Sequence, residues 1–201
     1  MARTRARQER SVETRARLLH AAAEVIARHG IEGATVDAIS GLAERTSGSL
    51  YGQFGSKDAL ILELLDQLKQ AVADRIGKQM VTADTLDARL VVLWRNFIAS
   101  PDGERDWLRL EHELWVWATR PGHDIAREQL SERYRAEYEL LAGALALWES
   151  EGLIRPSLEP RRMAAAVVAL LLGLEMTHRL DPSSVDEPTA VASLKALLKG
   201  E

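Results

Sequence analysis

Cysteine is absent from this 201-residue sequence. That excludes disulfides, thiol redox switching and thiolate metal sites. Aromatic residues make up only 5%. Strand patterning is missing as well, since no stretch alternates apolar and polar residues between turn signals. The most apolar run, MAAAVVALLLGL over 163–174, is shorter than the roughly 20 residues a spanning helix needs, so a buried helix is expected there. The N-terminal arginines are not followed by an apolar run, as a secretory signal would require. Together these absences predict a cytoplasmic protein with no membrane partner.

What is present is 46% hydrophobic and 28% charged, a balance that supports a globular core. Net charge is -4, which argues against a general nucleic-acid coat. The charge is unevenly placed, however. Residues 1–57 hold nine Lys/Arg against six Asp/Glu, and the remainder is acidic. A basic head on an acidic body directs any polyanion to the head.

The periodicity is helical throughout. The arginine-rich residues 1–10 lack core formers and are expected to be a mobile arm. A helix over 11–29 carries Leu18, Ala22, Val25 and Ile26 as one stripe, with Gly30 as its stop. Thr35 is placed to cap a second helix that reaches Ala43 or Glu44. Ser56 caps a later helix whose stripe is Leu60, Ile61, Leu64, Leu65 and Leu68.

Between these lies TSGSLYGQFGSK, residues 46–57, with three glycines that by propensity disfavour a helix. Short helices joined by a tight turn describe a helix-turn-helix unit, whose second helix enters the DNA major groove. Thr46, Ser47 and Ser49 offer hydroxyls there and Gln53 an amide. Gly48 admits a close approach to the backbone. Leu50 and Phe54 anchor the opposite face, Tyr51 is left to reach a phosphate, and Lys57 joins a cation to the amides of a helix start.

The segment ATVDAISGLAERTSGSLYGQFGSKDAL resembles the DNA-binding signature of the tetracycline-repressor (TetR) family. The likeness rests on Thr35, Ile39, Ala43, Gly48, Leu50, Tyr51, Phe54, Ser56, Lys57 and Leu60. It implies an all-helical, homodimeric, ligand-responsive repressor that binds a double-stranded DNA operator. Thr35, Tyr51 and Lys57 would contact phosphates, residues 46–53 would face the groove, and Arg5 and Arg7 would belong to a basic arm common in the family. The chain departs from the family pattern in three places. Glu44 and Arg45 stand where glycine and a small apolar residue are usual, Ser47 where lysine is frequent, and Gly52 where histidine is common. Arg45 is a candidate extra phosphate or base contact.

Enzyme motifs are not met. HELWV begins like the zinc-protease helix, but Val116 occupies the position of the second histidine. No catalytic group, metal site or cofactor is expected. Glu111 and Glu113, two apart on a helix, are expected on solvated faces. Trp94, Phe97, Trp107, His112, Trp115, Tyr134 and Tyr138 are candidates to line a cavity for a small apolar or aromatic effector, with core packing as the bland alternative for each tryptophan.

The expected fold is all-α, with about nine helices. An N-terminal three-helix helix-turn-helix head with its basic arm occupies residues 1–56, and a helical ligand-binding and dimerisation body occupies 57–201. By analogy with the family, residues 160–180 and 186–199 make the dimer interface. The competing reading is a helical adaptor that binds only protein.

Overall fold

A computed structural model describes residues 2–98, 107–156 and 159–200. Nine α-helices lie among them: α1 (Ala2–Gly33), α2 (Val36–Leu42), α3 (Ser47–Phe54), α4 (Lys57–Met80), α5 (Leu86–Ile98), α6 (Trp107–Ala118), α7 (Asp124–Ser150), α8 (Pro160–Leu180) and α9 (Glu187–Lys199). There is no strand among the described residues. The sequence also predicts a helix that starts at Pro101 and Asp102, positions that lie outside the described residues. Two compact units form, one from residues 1–71 with 102–128 and one from 72–101 with 129–201.

In the first unit, the arginine-rich arm is helical rather than an irregular tail. Residues 2–29 contain no proline or glycine, and Ala, Arg, Gln and Glu all favour helix. Arg5 Nε and Glu9 Oε1 add an i,i+4 pair at 3.2 Å, in the weak regime of exposed ion pairs. Leu18, Leu19, Ala22, Val25 and Ile26 form the buried stripe. At Gly30 the backbone turns to φ 69°, a region costly for residues with a Cβ, and Ile31 folds into the core.

Caps then punctuate the chain as the sequence predicts. Thr35 Oγ1 accepts the Ala38 N–H at 3.1 Å. Asp37 lies in the first turn of α2, where negative charge is favoured. Ser56 Oγ accepts the Ala59 N–H at 3.0 Å and starts α4.

α6 belongs to the same unit and packs on α1. Here the expectation of solvated acids fails. Glu111 is buried and Glu113 half-buried. Glu111 Oε1 meets Lys69 Nζ at 2.8 Å, and Glu113 Oε2 accepts the Ile31 N–H at 2.9 Å. Glu111 is withdrawn from water and Glu113 partly so, because each has a donor that a sequence pattern does not reveal.

In the second unit, α5, α8 and α9 pack on one another. Leu90, Leu93 and Trp94 of α5 are buried, as are Val167, Val168, Leu171 and Leu172 of α8 and Ala190, Leu194 and Leu198 of α9. Arg95 forks onto Glu187 through Nε at 2.7 Å and Nη2 at 2.8 Å. This hydrogen bonding holds the Glu187 carboxyl below its usual range.

The apolar run of α8 sits in a helix of 21 residues, long and apolar enough by length and composition to cross a membrane. The expectation of a helix too short to span counted only the unbroken run. Within the unit α8 buries one face, while Ala166, Ala169, Gly173, Met176 and Leu180 stay exposed on another.

Candidate nucleic-acid interface

α3 is the element whose composition most opposes its conformation, so what holds it in place matters. Leu50 is fully buried beneath it. Thr46 caps it, its Oγ1 accepting the Ser49 N–H at 3.2 Å. Gly55, at φ 79°, ends it with its N–H on the Tyr51 carbonyl.

Arg15 of α1 then joins three helices. Its Nη1 donates to the Gln53 carbonyl at 2.6 Å, its Nε donates to Glu63 of α4 at 2.7 Å, and its Nη2 pairs with the same carboxylate. The guanidinium lies 4.3 Å from the centre of the Phe54 ring, within cation–π range. A two-pronged carboxylate contact fixes orientation as well as distance, so the C-terminal end of α3 is held on both sides. Nothing in the local sequence pattern marks Arg15 for this role, because its partners are 38 and 48 residues away.

The turn before α3 carries strain. Glu44 has φ 54° and is the one described non-glycine residue with positive φ. This is the position where the resemblance predicts glycine. Its N–H bonds the Gly41 carbonyl and the next N–H bonds that of Ser40, so the turn closes as a helix C-terminal motif that favours glycine. Arg45 is half-buried, its Nη1 donating to the Glu44 carbonyl at 2.9 Å and its Nε to Thr14 Oγ1 at 3.4 Å. In this state the guanidinium braces the turn against α1.

The remaining candidates divide by what they touch. Tyr51 is 53% exposed, and Gly48 and Gly52 are exposed on either side of it. Positions 48, 51, 52 and 55 share one helical face. Ser47 Oγ donates to Asp37 Oδ1 at 2.9 Å, tying α3 to α2. The Ser49 and Thr46 hydroxyls are 3.0 Å apart. Gln53 Nε2 donates to Ser11 Oγ at 3.0 Å, so its amide is spent on α1. Lys57 Nζ donates to the Ile31 carbonyl at 3.3 Å. Arg5 is exposed in α1; the side chain of Arg7 lies outside the described residues.

The glycines of α3 answer to no packing neighbour among the described residues. A Cβ on Gly52 would meet no atom within 4 Å, and one on Gly48 only Thr46 Oγ1 at 3.8 Å. Neither has positive φ. Two glycines in an eight-residue helix, at roughly 1 kcal/mol each relative to alanine, have no packing or backbone reason here. They leave bare backbone on the face that Tyr51 shares.

The candidate effector residues fall in both units. His112 and Trp115, 6.1 Å apart by ring centres, belong to the first. Tyr134 and Tyr138, also 6.1 Å apart, belong to the second. Trp94 is fully buried, with the His178 ring 5.6 Å away edge-on, and Phe97 is buried beside it on α5. The side chain of Trp107 lies outside the described residues. Among the described residues, two cavities are lined by other side chains. One, of about 810 Å³, runs between α1 and α4 over Leu19, Ala23 and Leu68. The other, of about 330 Å³, includes Arg75, Gln79, Val92 and Asn96.

Residues 18–64 match the family model described as bacterial regulatory proteins, tetR family. The chain is 25% identical over 175 residues to the HTH-type nicotine-responsive transcriptional repressor HdnoR of Paenarthrobacter nicotinovorans, covering 86% of this chain and 87% of that protein. It is 24% identical over 190 residues to the A-factor receptor protein of Streptomyces griseus, covering 94% of this chain and 63% of that one. Its fold is similar to that of the TetR-family transcriptional regulator from Cytophaga hutchinsonii, at 20% identity and a TM-score of 0.75 over 95% of this chain and 96% of that one.

Proposed function

The chain belongs to the TetR family of DNA-binding transcriptional regulators, and from that premise we propose a cytoplasmic homodimeric repressor whose hold on a near-palindromic operator is modulated by a small apolar or aromatic effector. The observation that carries the DNA reading is the outer face of α3. An exposed Tyr51 stands between two glycines whose missing side chains make room for nothing among the described residues. Close passage of a phosphate or base edge is what such a face admits.

In this reading Thr35, Tyr51 and Lys57 contact phosphates, and Arg5 and Arg7 extend the positive field along the duplex. Thr46, Ser47, Gly48, Ser49 and Gln53 meet the groove, with Arg45 beside them. Ser47 and Gln53 exchange their bonds to Asp37 and Ser11 for contacts to DNA, so recognition has a cost that a matching operator offsets. Lys57 extends from its bond to the Ile31 carbonyl while remaining at the start of α4, where backbone amides reinforce an anion contact.

Two heads imply two half-sites, because a two-fold dimer reads two-fold DNA. Dimerisation through α8 and α9 is supported by the exposed Ala166, Ala169, Gly173, Met176 and Leu180 face. The apolar stripe of α9 is engaged within its own unit, so α8 supplies most of the apolar contact. Effector response is supported by the relatives named for nicotine response and for an A-factor receptor. A ligand acts on DNA only if it favours one arrangement of the heads over another.

The test is a binding selection from random DNA followed by titration of the enriched site at several salt concentrations. Enrichment of an inverted repeat is expected, with Lys57→Ala lowering affinity on all sequences and reducing the salt slope by about one. Failure to enrich any DNA would favour a protein-binding adaptor.

A further inference from the structure

The 330 Å³ cavity in the second unit is lined by Arg75 and Gln79 of α4, Thr82 after it, and Val91, Val92, Arg95 and Asn96 of α5. Among the described residues it holds two guanidinium groups and no carboxylate. Arg95 is already answered by Glu187. Arg75 is not: its Nε is enclosed and has no hydrogen-bond acceptor, and it makes no ion pair among the described residues. A buried donor without an acceptor is rare in folded proteins and is a standing cost; the residue as a whole is half-buried and lines the cavity, so a bound acceptor meets the remainder of the guanidinium.

The amides of the cavity are arranged in a consistent sense. Asn96, buried on α5, donates from Nδ2 to Gln79 Oε1 at 2.7 Å and to the Val92 carbonyl at 2.8 Å. With its oxygen so occupied, Gln79 has its Nε2 hydrogens uncommitted, one helical turn from Arg75. A planar guanidinium and an amide donor on successive turns suit a carboxylate. Val91 and Val92 supply an apolar wall that an inorganic anion would not use. The volume is near the lower end of small-molecule sites, roughly 300–1,000 Å³. It suits one ring or a short chain.

The geometry points to a site for a small monocarboxylate, with the acid group on Arg75 and Gln79 and an apolar body against Val91 and Val92. This inference rests on the reading of the chain as an effector-responsive regulator and gives the effector a charge. Arg75 and Lys57 lie on the same helix, α4, so an anion held at Arg75 acts on the element that begins at a proposed phosphate contact.

The full chain, without DNA, is titrated calorimetrically with benzoate and hexanoate and with their neutral amides, benzamide and hexanamide. The acids are expected to bind at least about tenfold more tightly than the amides, the scale of a charged hydrogen bond. Arg75→Gln should remove that preference while circular dichroism is unchanged, and Val92→Trp should block both classes by filling the cavity. Acids and amides binding alike, none of the four probes binding, or Arg75→Gln binding benzoate as tightly as the parent would each overturn the site. If Arg75→Gln does not fold, the comparison of acid with amide on the parent and on Val92→Trp decides. Operator affinity with and without benzoate is measured separately. Benzoate is expected to change that affinity; unchanged affinity, with benzoate bound through Arg75, would support the site and overturn its role as the effector site, whereas no operator binding either with or without benzoate would strike at the regulator reading instead.

Discussion

Glu113 of α6 accepts the backbone N–H of Ile31 at 2.9 Å, across 82 residues of sequence, while Lys57 Nζ donates to the carbonyl of the same residue at 3.3 Å. Ile31 follows the Gly30 kink, and a Cβ on Gly30 would lie 3.1 Å from Glu113 Oε2. The peptide groups at the end of α1 are thus held by two charged side chains from different helices. Glu113→Ala leaves the Ile31 N–H without its acceptor and is expected to cost about 1–3 kcal/mol, read by urea denaturation. Gly30→Ala should destabilise the head as well, through its positive φ. A Glu113→Ala protein as stable as the parent would show that water replaces the carboxylate.

Gly48→Ala and Gly52→Ala separate stability from recognition. Both positions have room for a methyl group and helical backbone, so each change should stabilise α3, by up to about 1 kcal/mol. Operator affinity should nevertheless fall, because the added Cβ stands on the face shared with Tyr51. Thermal melts and anisotropy titrations read the two effects. Affinity equal to the parent in both variants would remove the argument that DNA requires these glycines.

Val168 and Leu172 are buried within the second unit, so charges there would test the fold rather than the dimer. Met176, 41% exposed on α8, is the better probe. Met176→Glu should shift sedimentation at micromolar concentration from dimer to monomer, with helicity retained. A dimer undisturbed by that charge would place the interface elsewhere.

The loop between α8 and α9 predicts an acid response. Asp181 accepts hydrogen bonds from the Ser183 and Ser184 hydroxyls and from the Ser183 N–H, which hold its carboxyl down from 3.8 to about 2. A carboxylate lowered in the folded state stabilises it above the unfolded value, and that contribution is lost as pH falls through the folded one. Asp181→Asn should therefore flatten the decline of stability between pH 3.8 and about 2, measured as melting temperature against pH. A decline unchanged in the variant would assign acid sensitivity to other carboxylates, such as Asp186, lowered chiefly by its hydrogen bond from the Thr189 hydroxyl.

The sequence by itself determined the helices of the head beyond the arm, the caps at Thr35 and Ser56 and the motif between them. Thr35, Ser56 and Gly30 act within a few residues of their own positions, and hydrogen bonds that close so locally are written in the local order of residues. Leu50 and the stripe of α4 were legible for the same reason, since a helical period depends only on near neighbours. Tertiary structure alone decided the rest. It made Arg15 the brace of α3, buried Glu111 and tied Glu113 to the Ile31 N–H, spent the Gln53 amide on Ser11, and left the Arg75 Nε enclosed without an acceptor. Each of these depends on a partner brought close by packing of distant segments. The energy of a charge or an amide depends on that partner and on its exclusion from water, and neither is a property of the residue's neighbours in sequence.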